Sequence, residues 1–195
     1  MNPSRLKNLI YRCYKLFTLT VANTFCVPYI DGIHGGFWNY RTYLITHNKG
    51  RTLFYDAYLD HNCASIGLLS GFKTIPILPH GLHGIHISDG AVLGENITIL
   101  QNVTIGSNTL KESKRNGAPY IGDNVFIGAN SSIIGNIHIG NNCRIGANCC
   151  VFHDIDDNQT VVMGGVRTIS HNTPKDNTFI YINTLNSSQT NSSHN

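Results

Sequence analysis

Along residues 87–151 the apolar positions follow one lattice of six: Ile87, Leu93, Ile99 and Ile105, then Ile121, Ile127, Ile133, Ile139, Ile145 and Val151. The interval from Ile105 to Ile121 is sixteen, six plus a ten-residue insertion, and the repeat then resumes in register. Two places before each aliphatic stands a second small or apolar residue: Ile85, Ala91, Ile97, Val103, Pro119, Val125, Ser131, Ile137, Cys143 and Cys149. Side chains alternate across a strand, so both sets point inward, while His86, Thr98, Thr104, Tyr120, Phe126, His138 and Arg144 point out. Glycine usually follows the aliphatic (Gly94, Gly106, Gly122, Gly128, Gly140, Gly146), as a tight corner or close backbone contact requires. Asparagine recurs before the next strand (Asn96, Asn102, Asn124, Asn130, Asn136, Asn142, Asn148), suiting corners with left-handed backbone. A chain that turns every six residues and returns the same side chain to the interior is a solenoid. Antiparallel strands would instead need turn signals at about eight to twelve residues.

The flanks lack this period. Residues 4–22 set Leu6, Leu9, Ile10, Cys13, Tyr14, Phe17 and Val21 at helical spacing, with Arg5, Lys7, Arg12 and Lys15 elsewhere on the wheel. Such a helix packs on the coils or a neighbouring subunit, or lies on an anionic membrane surface. Further on, Gly35 and Gly36 mark a turn, Tyr40–Thr46 reads as a strand and Ala57–Leu69 as a short helix. The expected organisation is an N-terminal helical and mixed region (1–79), a repeat domain (80–170) with a loop insertion at 107–118, and a C-terminal tail (171–195). Beyond about residue 183 the Asn, Ser and Thr composition supports no core, and disorder is expected.

Charge narrows the partners. The net +3 of the 195 residues divides into +6 over residues 1–51 and −3 over the rest, so the repeat is no polyanion surface and nucleic-acid binding is not expected. The six cysteines (Cys13, Cys26, Cys63, Cys143, Cys149, Cys150) contain no C-x-x-C. Cys143 and Cys149 fall on inward positions, where a thiol packs as a small apolar group. A reducing compartment without structural disulfides is expected. No run reaches the roughly eighteen apolar residues of a membrane span. Residues 16–30 are interrupted by Thr18, Thr20, Asn23 and Thr24 and lack a small-residue cleavage site. The expected location is cytoplasmic, with peripheral contact at the inner face of a membrane through residues 4–22.

Two stretches break the lattice: Pro79-His80-Gly81-Leu82-His83-Gly84-Ile85-His86, and the insertion with Lys111, Glu112, Lys114 and Arg115. A solenoid is only a scaffold, so chemistry is sought at these breaks. An imidazole with a pKa near neutral is the usual base for removing a hydroxyl proton. A three-histidine metal site fits poorly: His83 and His86 face opposite sides of a strand, and after the insertion no histidine occurs until His138. No metal is expected.

The strings I-L-P-H-G-L-H-G-I-H-I-S, I-L-Q-N-V-T-I-G-S-N and G-A-P-Y-I-G-D-N-V-F-I-G-A-N resemble hexapeptide-repeat acyltransferases over roughly residues 75–170. Among these they are most similar to serine acetyltransferases and to O-acetyltransferases of capsule, exopolysaccharide and lipopolysaccharide gene clusters. The resemblance implies a mainly β fold, a left-handed parallel β-helix with three hexads per triangular coil. It implies acetyl-CoA as co-substrate and a homotrimer with active sites between subunits, which outward Phe126 and Val92 also suit. By motif position it makes His80 the general base and His83 its competitor, since the serine enzymes' His stands three residues before the matching Gly and His80 stands four before Gly84. It places Ala129 and Ala147, in the two I-G-A-N corners, along the pantetheine arm. Arg167 comes near the phosphates, with Lys175 as a further cation, and Arg115 and Asn116 of the insertion fall on the acceptor.

The chain departs from the serine enzymes in several ways. Their loop carries a histidine in an Arg-His-Pro context, where this sequence reads Arg115-Asn116-Gly117-Ala118-Pro119. Their Asp about fifteen residues before the base has no counterpart near Ser65, and the N-terminal region is about half as long. Gly164, Gly165 and Arg167 resemble the closing Gly-Val-Pro-Ala-Arg element without its proline. These differences favour an acetyl-CoA-dependent O-acetyltransferase acting on a sugar hydroxyl in bacterial surface polysaccharide biosynthesis. The alternative is serine O-acetyltransferase in cysteine synthesis, against which Ser193-His194-Asn195 also stands in place of the terminal Ile that binds the sulfhydrylase partner. A metal-dependent hydratase similar to the γ-type carbonic anhydrases and a non-catalytic binding solenoid account for less of the sequence.

Overall fold

The computed structural model describes Thr20, residues 24–164 and residues 167–177. The expected helix at 4–22, apart from Thr20, and the expected disorder beyond 183 lie outside the described residues. Three helical segments come first: α1 (residues 24–34), α2 (Phe37–Thr46) and α3 (Leu53–His61). Short strands follow, in three sheets that form the faces of a left-handed β-helix.

On face one, Ser65–Ile66, His86–Ile87, Thr104–Gly106, Ser132–Ile134 and Cys150–Val151 pair in parallel. On face two, Gly71–Phe72, Val92–Leu93, Tyr120–Ile121 and His138–Ile139 do the same, and Ile155 bridges to Ile139. On face three the ladder runs from Ile77, bridged to Thr98, through Thr98–Ile99, Phe126–Ile127 and Arg144–Ile145 to Gln159–Val162. Arg167–Ser170 then closes the last coil antiparallel to Gln159–Val162.

The lattice residues are the core. Ile99, Ile105, Ile121, Ile127, Ile133, Ile139, Ile145 and Val151 are fully buried, together with the inward Cys143 and Cys149. Each such aliphatic contributes roughly 1.5–3 kcal/mol of burial. The left-handed corners fall on Asn96, Asn102, Asn124, Asn130, Asn142 and Asn148, at φ 53–60°. Asn136 is the exception, because Gly135 takes the positive φ (95°) at that corner. Glycine after the aliphatic answers to coil-to-coil approach rather than to φ: a Cβ on Gly128 would sit 2.6 Å from the Ala147 nitrogen one coil on. Thr98, expected to point to solvent, is fully buried.

Two expectations for residues 32–78 are corrected. Tyr40–Thr46 is not a strand but the body of α2. Its aromatic and β-branched composition suits a strand, yet Phe37, Tyr40, Arg41 and Leu44 are buried together at helical spacing, and tertiary packing overrides propensity. The short helix is α3, which starts at Leu53 behind the cap Thr52, whose hydroxyl accepts from the Tyr55 amide at 3.2 Å, and ends at His61. Residues 65–78 are therefore not helical; they form a coil of their own ahead of the histidine-rich segment. Ile66, Phe72 and Leu78 keep the spacing of six, but the step from Leu78 to Ile87 is nine, which hid this coil from the lattice.

The helices dock on that first coil. Buried Arg41 donates to the carbonyls of Leu68 (2.9 Å) and Ser70 and to the Ser70 hydroxyl, and the Tyr55 hydroxyl donates to the Ile66 carbonyl at 3.0 Å. Burial pushes the Tyr55 phenol up to about 12. Leu82 packs into the same cluster as Ile30, Phe37 and Tyr55, so the helical region holds the histidine-rich segment by its middle.

Candidate active site

The prism has three edges, and the predicted site residues other than Arg167 and Lys175 fall on two of them. Between faces three and one, successive corners carry His80 to Gly84, then Gln101-Asn102, Ala129-Asn130 and Ala147-Asn148. This histidine edge joins the expected base to the expected carrier contacts. At the usual strand spacing Ala129 stands about 10 Å, and Ala147 about 14 Å, along the edge from the histidine corner.

The histidine loop is shaped by its backbone. Gly81 and Gly84 adopt φ of 66° and 67°, and a Cβ on Gly84 would meet Asn102 Oδ1 at 2.0 Å. The Gly84 amide donates to the Asn62 carbonyl (3.1 Å), and the Asn102 amide donates to the His83 carbonyl (3.1 Å). Inside, Leu82 is buried; outside, His80 and His83 are exposed. Neither imidazole is hydrogen-bonded to another described residue, and no carboxylate stands on this edge to orient it.

Backbone donors set the edge apart. The amides of Gln101, Ala129 and Ala147 donate to no other described residue. At the matching corners between faces two and three, the amides of Glu95, Asp123 and Asn141 donate to the side chains of Asp123, Asn141 and Asp157 at 2.7–2.8 Å. Asp123 also pairs with Lys73 at 3.0 Å. The Glu95 amide first, and Lys73 second, hold its carboxyl below the usual range. The same register on the histidine edge places Ala where the aspartate edge has Asp or Asn, so the Gln101, Ala129 and Ala147 N–H groups stay available for carbonyl or phosphate oxygens. The corner strings I-G-A-N against I-G-D-N and I-G-N-N carry this signal. Gln101, not singled out from the sequence, has a buried Oε1 without a partner among the described residues.

The insertion leaves the edge between faces one and two. Asn108 and Gly117 exchange backbone hydrogen bonds at 2.9 Å, closing it as a hairpin. Arg115 pairs with Asp154 at 2.9 Å, and the Asn116 side-chain Nδ2 donates to the Leu110 carbonyl at 3.0 Å. Arg115 first, and the His138 amide second, keep the Asp154 carboxyl below its ordinary range. Within one chain, then, Arg115 and Asn116 are not brought to His80 and His83; they lie on a different edge and serve the hairpin and the last coil. The main chain of Arg167 pairs with Val162. Lys175 is exposed on a segment whose Asn177 accepts from Arg144 at 2.7 Å, so this segment crosses face three. Among the described residues no group of three or more His, Cys, Asp or Glu could hold a metal ion, and no helix is long and apolar enough to cross a membrane.

Comparison with known proteins agrees with this architecture. Residues 118–153 match the bacterial transferase hexapeptide (six repeats) family. A serine acetyltransferase of Staphylococcus epidermidis is 44% identical over 85 residues, covering 44% of this chain and 38% of that enzyme, and one of Staphylococcus aureus is 41% identical over the same shares. The chain thus spans about two fifths of the length of these relatives. The crystal structure of Neisseria gonorrhoeae serine acetyltransferase superimposes with a TM-score of 0.55 at 29% identity, covering 81% of this chain and 54% of that one. A serine acetyltransferase from Brucella abortus, at 22% identity and a TM-score of 0.61 over 87% and 74% of the two chains, shares the fold. By its repeat, its coil geometry and these matches, the chain carries bacterial transferase hexapeptide repeats, and its β-helix is the part in which it is similar to serine acetyltransferases.

Proposed function

We propose that the protein is an acetyl-CoA-dependent O-acetyltransferase. The observation that carries this reading is the histidine edge, where two exposed imidazoles stand in line with the unpaired amides of Ala129 and Ala147. An extended thioester carrier laid along the edge would meet the amides with its oxygens and bring its acyl end to the histidines. His80 removes the acceptor O–H proton as the oxygen attacks the thioester carbonyl. The tetrahedral oxyanion collapses with cleavage of the C–S bond, and the imidazolium returns its proton to the leaving thiolate. No step needs a metal.

The relatives' names make L-serine the first acceptor to test. A sugar hydroxyl is the second, favoured by an insertion that lacks an imidazole and whose Arg115 is held by Asp154. The separation of insertion and histidines onto different edges of one chain supports a homotrimer in which a neighbour's insertion completes the site. Incubation of purified protein with acetyl-CoA and either L-serine or a panel of sugars and oligosaccharides, followed by free thiol release, tests the reading. Acceptor-dependent release is expected, and its absence with every acceptor overturns it. A monomer by light scattering would remove the shared site.

A further inference from the structure

We propose that face one carries an acceptor subsite for an uncharged, hydroxyl-rich molecule of the sugar class, with His86 as its central hydrogen-bonding group. This rests on the O-acetyl-transfer reading and takes up its second acceptor. The first outward row of face one is Ser65, His86, Thr104, Ser132 and Cys150, in register on neighbouring strands, and none of these five is aliphatic, aromatic in the manner of Tyr or Phe, or permanently charged. In the next outward row Gly106 pairs with Ile134, whose partly exposed side chain is an apolar wall beside Gly106. The other faces differ: face two presents Val92, Tyr120 and His138, the last two stacked at 5.0 Å, and on face three Arg144 donates to Asn177 and the Asp176 carbonyl.

A depression of about 180 Å³ lies on face one, lined by Ser65, His86, Ser88, Thr104, Gly106 and the strand residues Ile87 and Ile105. That is about six waters at roughly 30 Å³ each, the scale of one pyranose ring. Its floor is kept low at Gly106, where a Cβ would stand 2.8 Å from Ile134 Cδ1. At the end nearest the insertion the Ser88 and Ser107 hydroxyls hydrogen-bond each other at 2.9 Å. The His86 imidazole is exposed and has no hydrogen bond to another described residue.

The lining chemistry selects the ligand. Hydroxyl groups donate and accept, and the imidazole ring adds a polar edge, which matches the O–H groups of a polyol. A free amino acid brings an ammonium and a carboxylate, and desolvating them without counter-charges is costly; the lining supplies none. Position fits as well, since Gly84, where the histidine loop ends, is two residues before His86, and a molecule in the depression borders the histidine edge.

The test uses the full chain with isotope-labelled histidine, in the absence of acetyl-CoA. The imidazole signals are followed by NMR while methyl glucoside, methyl galactoside, methyl mannoside or N-acetylglucosamine is added, and L-serine separately; His86→Gln assigns the His86 signal. A saturable shift of His86 with at least one neutral sugar and none with serine is expected, and Thr104→Val should weaken that binding several-fold at unchanged melting temperature. No His86 shift with any sugar, or a shift with serine alone, overturns the subsite. Because this readout needs no acetyl transfer, protein that binds sugar at His86 but releases no thiol would keep the subsite and lose the proposed activity.

Discussion

The histidine edge and the aspartate edge are built from the same corner: an aliphatic, usually a glycine, one variable residue and an asparagine in left-handed conformation. Both stack asparagine side chains from coil to coil, Asn102 on Asn130 at 3.1 Å and Asn124 on Asn142 at 3.2 Å. They differ at the variable residue. On the aspartate edge it accepts the amide of the preceding coil, so polar groups are satisfied within the chain. On the histidine edge it is alanine at two successive corners, and the amides remain unspent. Identical backbone geometry thus gives one edge that stabilises the coil and one that leaves its amides open, the difference lying in a single side chain per turn.

Four substitutions and one change of condition bear on this contrast. The largest effect is expected for His80→Ala: turnover should fall by about 10²–10⁴, the usual worth of general-base catalysis, at unchanged melting temperature. His83→Ala should cost less than tenfold. The reverse order, measured by thiol release, would transfer the role of base to His83. Next comes Ala147→Asp, which rebuilds a corner of the histidine edge in the manner of the aspartate edge. The new carboxylate would cap the Ala129 amide and repel an anionic carrier, raising KM for acetyl-CoA about tenfold, or 1.4 kcal/mol, while leaving stability within error. An unchanged KM would mean that the carrier does not use this edge.

The converse change, Asp123→Ala, removes the acceptor for the Glu95 amide and the partner of Lys73. A loss of about 1 kcal/mol is expected for the hydrogen bonding, or roughly 2–4 °C in a domain of this size, with kinetic constants unaltered. The smallest effect concerns acid. The carboxyls of Asp123 and Asp154 are lowered in the folded chain. Their contribution is therefore complete above the ordinary carboxylate value of about 3.9 and is lost as pH falls through the lower folded-state values. The melting-temperature gap between wild type and Asp123→Ala should narrow as pH drops below about 4. A gap that widens would assign the stabilisation to another group.

The coil stack was legible because a period of six repeats one physical demand, an aliphatic returned to a dry interior, at Ile121, Ile127, Ile133 and onward. Inward Cys143 and Cys149 and outward His86 and His138 follow from the same register and are found so. The first coil escaped notice because its return to Ile87 takes nine residues, and α2 because Tyr, Leu, Ile and Thr read as strand formers until the burial of Phe37, Tyr40 and Leu44 is known. At the site, motif position picked out His80, His83, Ala129 and Ala147, and the fold sets all four on one edge. It could not show that Arg115 is engaged by Asp154, thirty-nine residues away in sequence.

By itself the sequence determined the repeat, the inward aliphatic of every hexad and the two places where the lattice breaks, because each of these is a local pattern repeated along the chain. Only the tertiary structure decided which corners share an edge and which amides go unpaired. Those depend on contacts between residues sixteen or more positions apart, such as Asn141 with Asp157 and Asp123 with Asn141, and a period along the chain carries no record of which neighbouring coil supplies the acceptor.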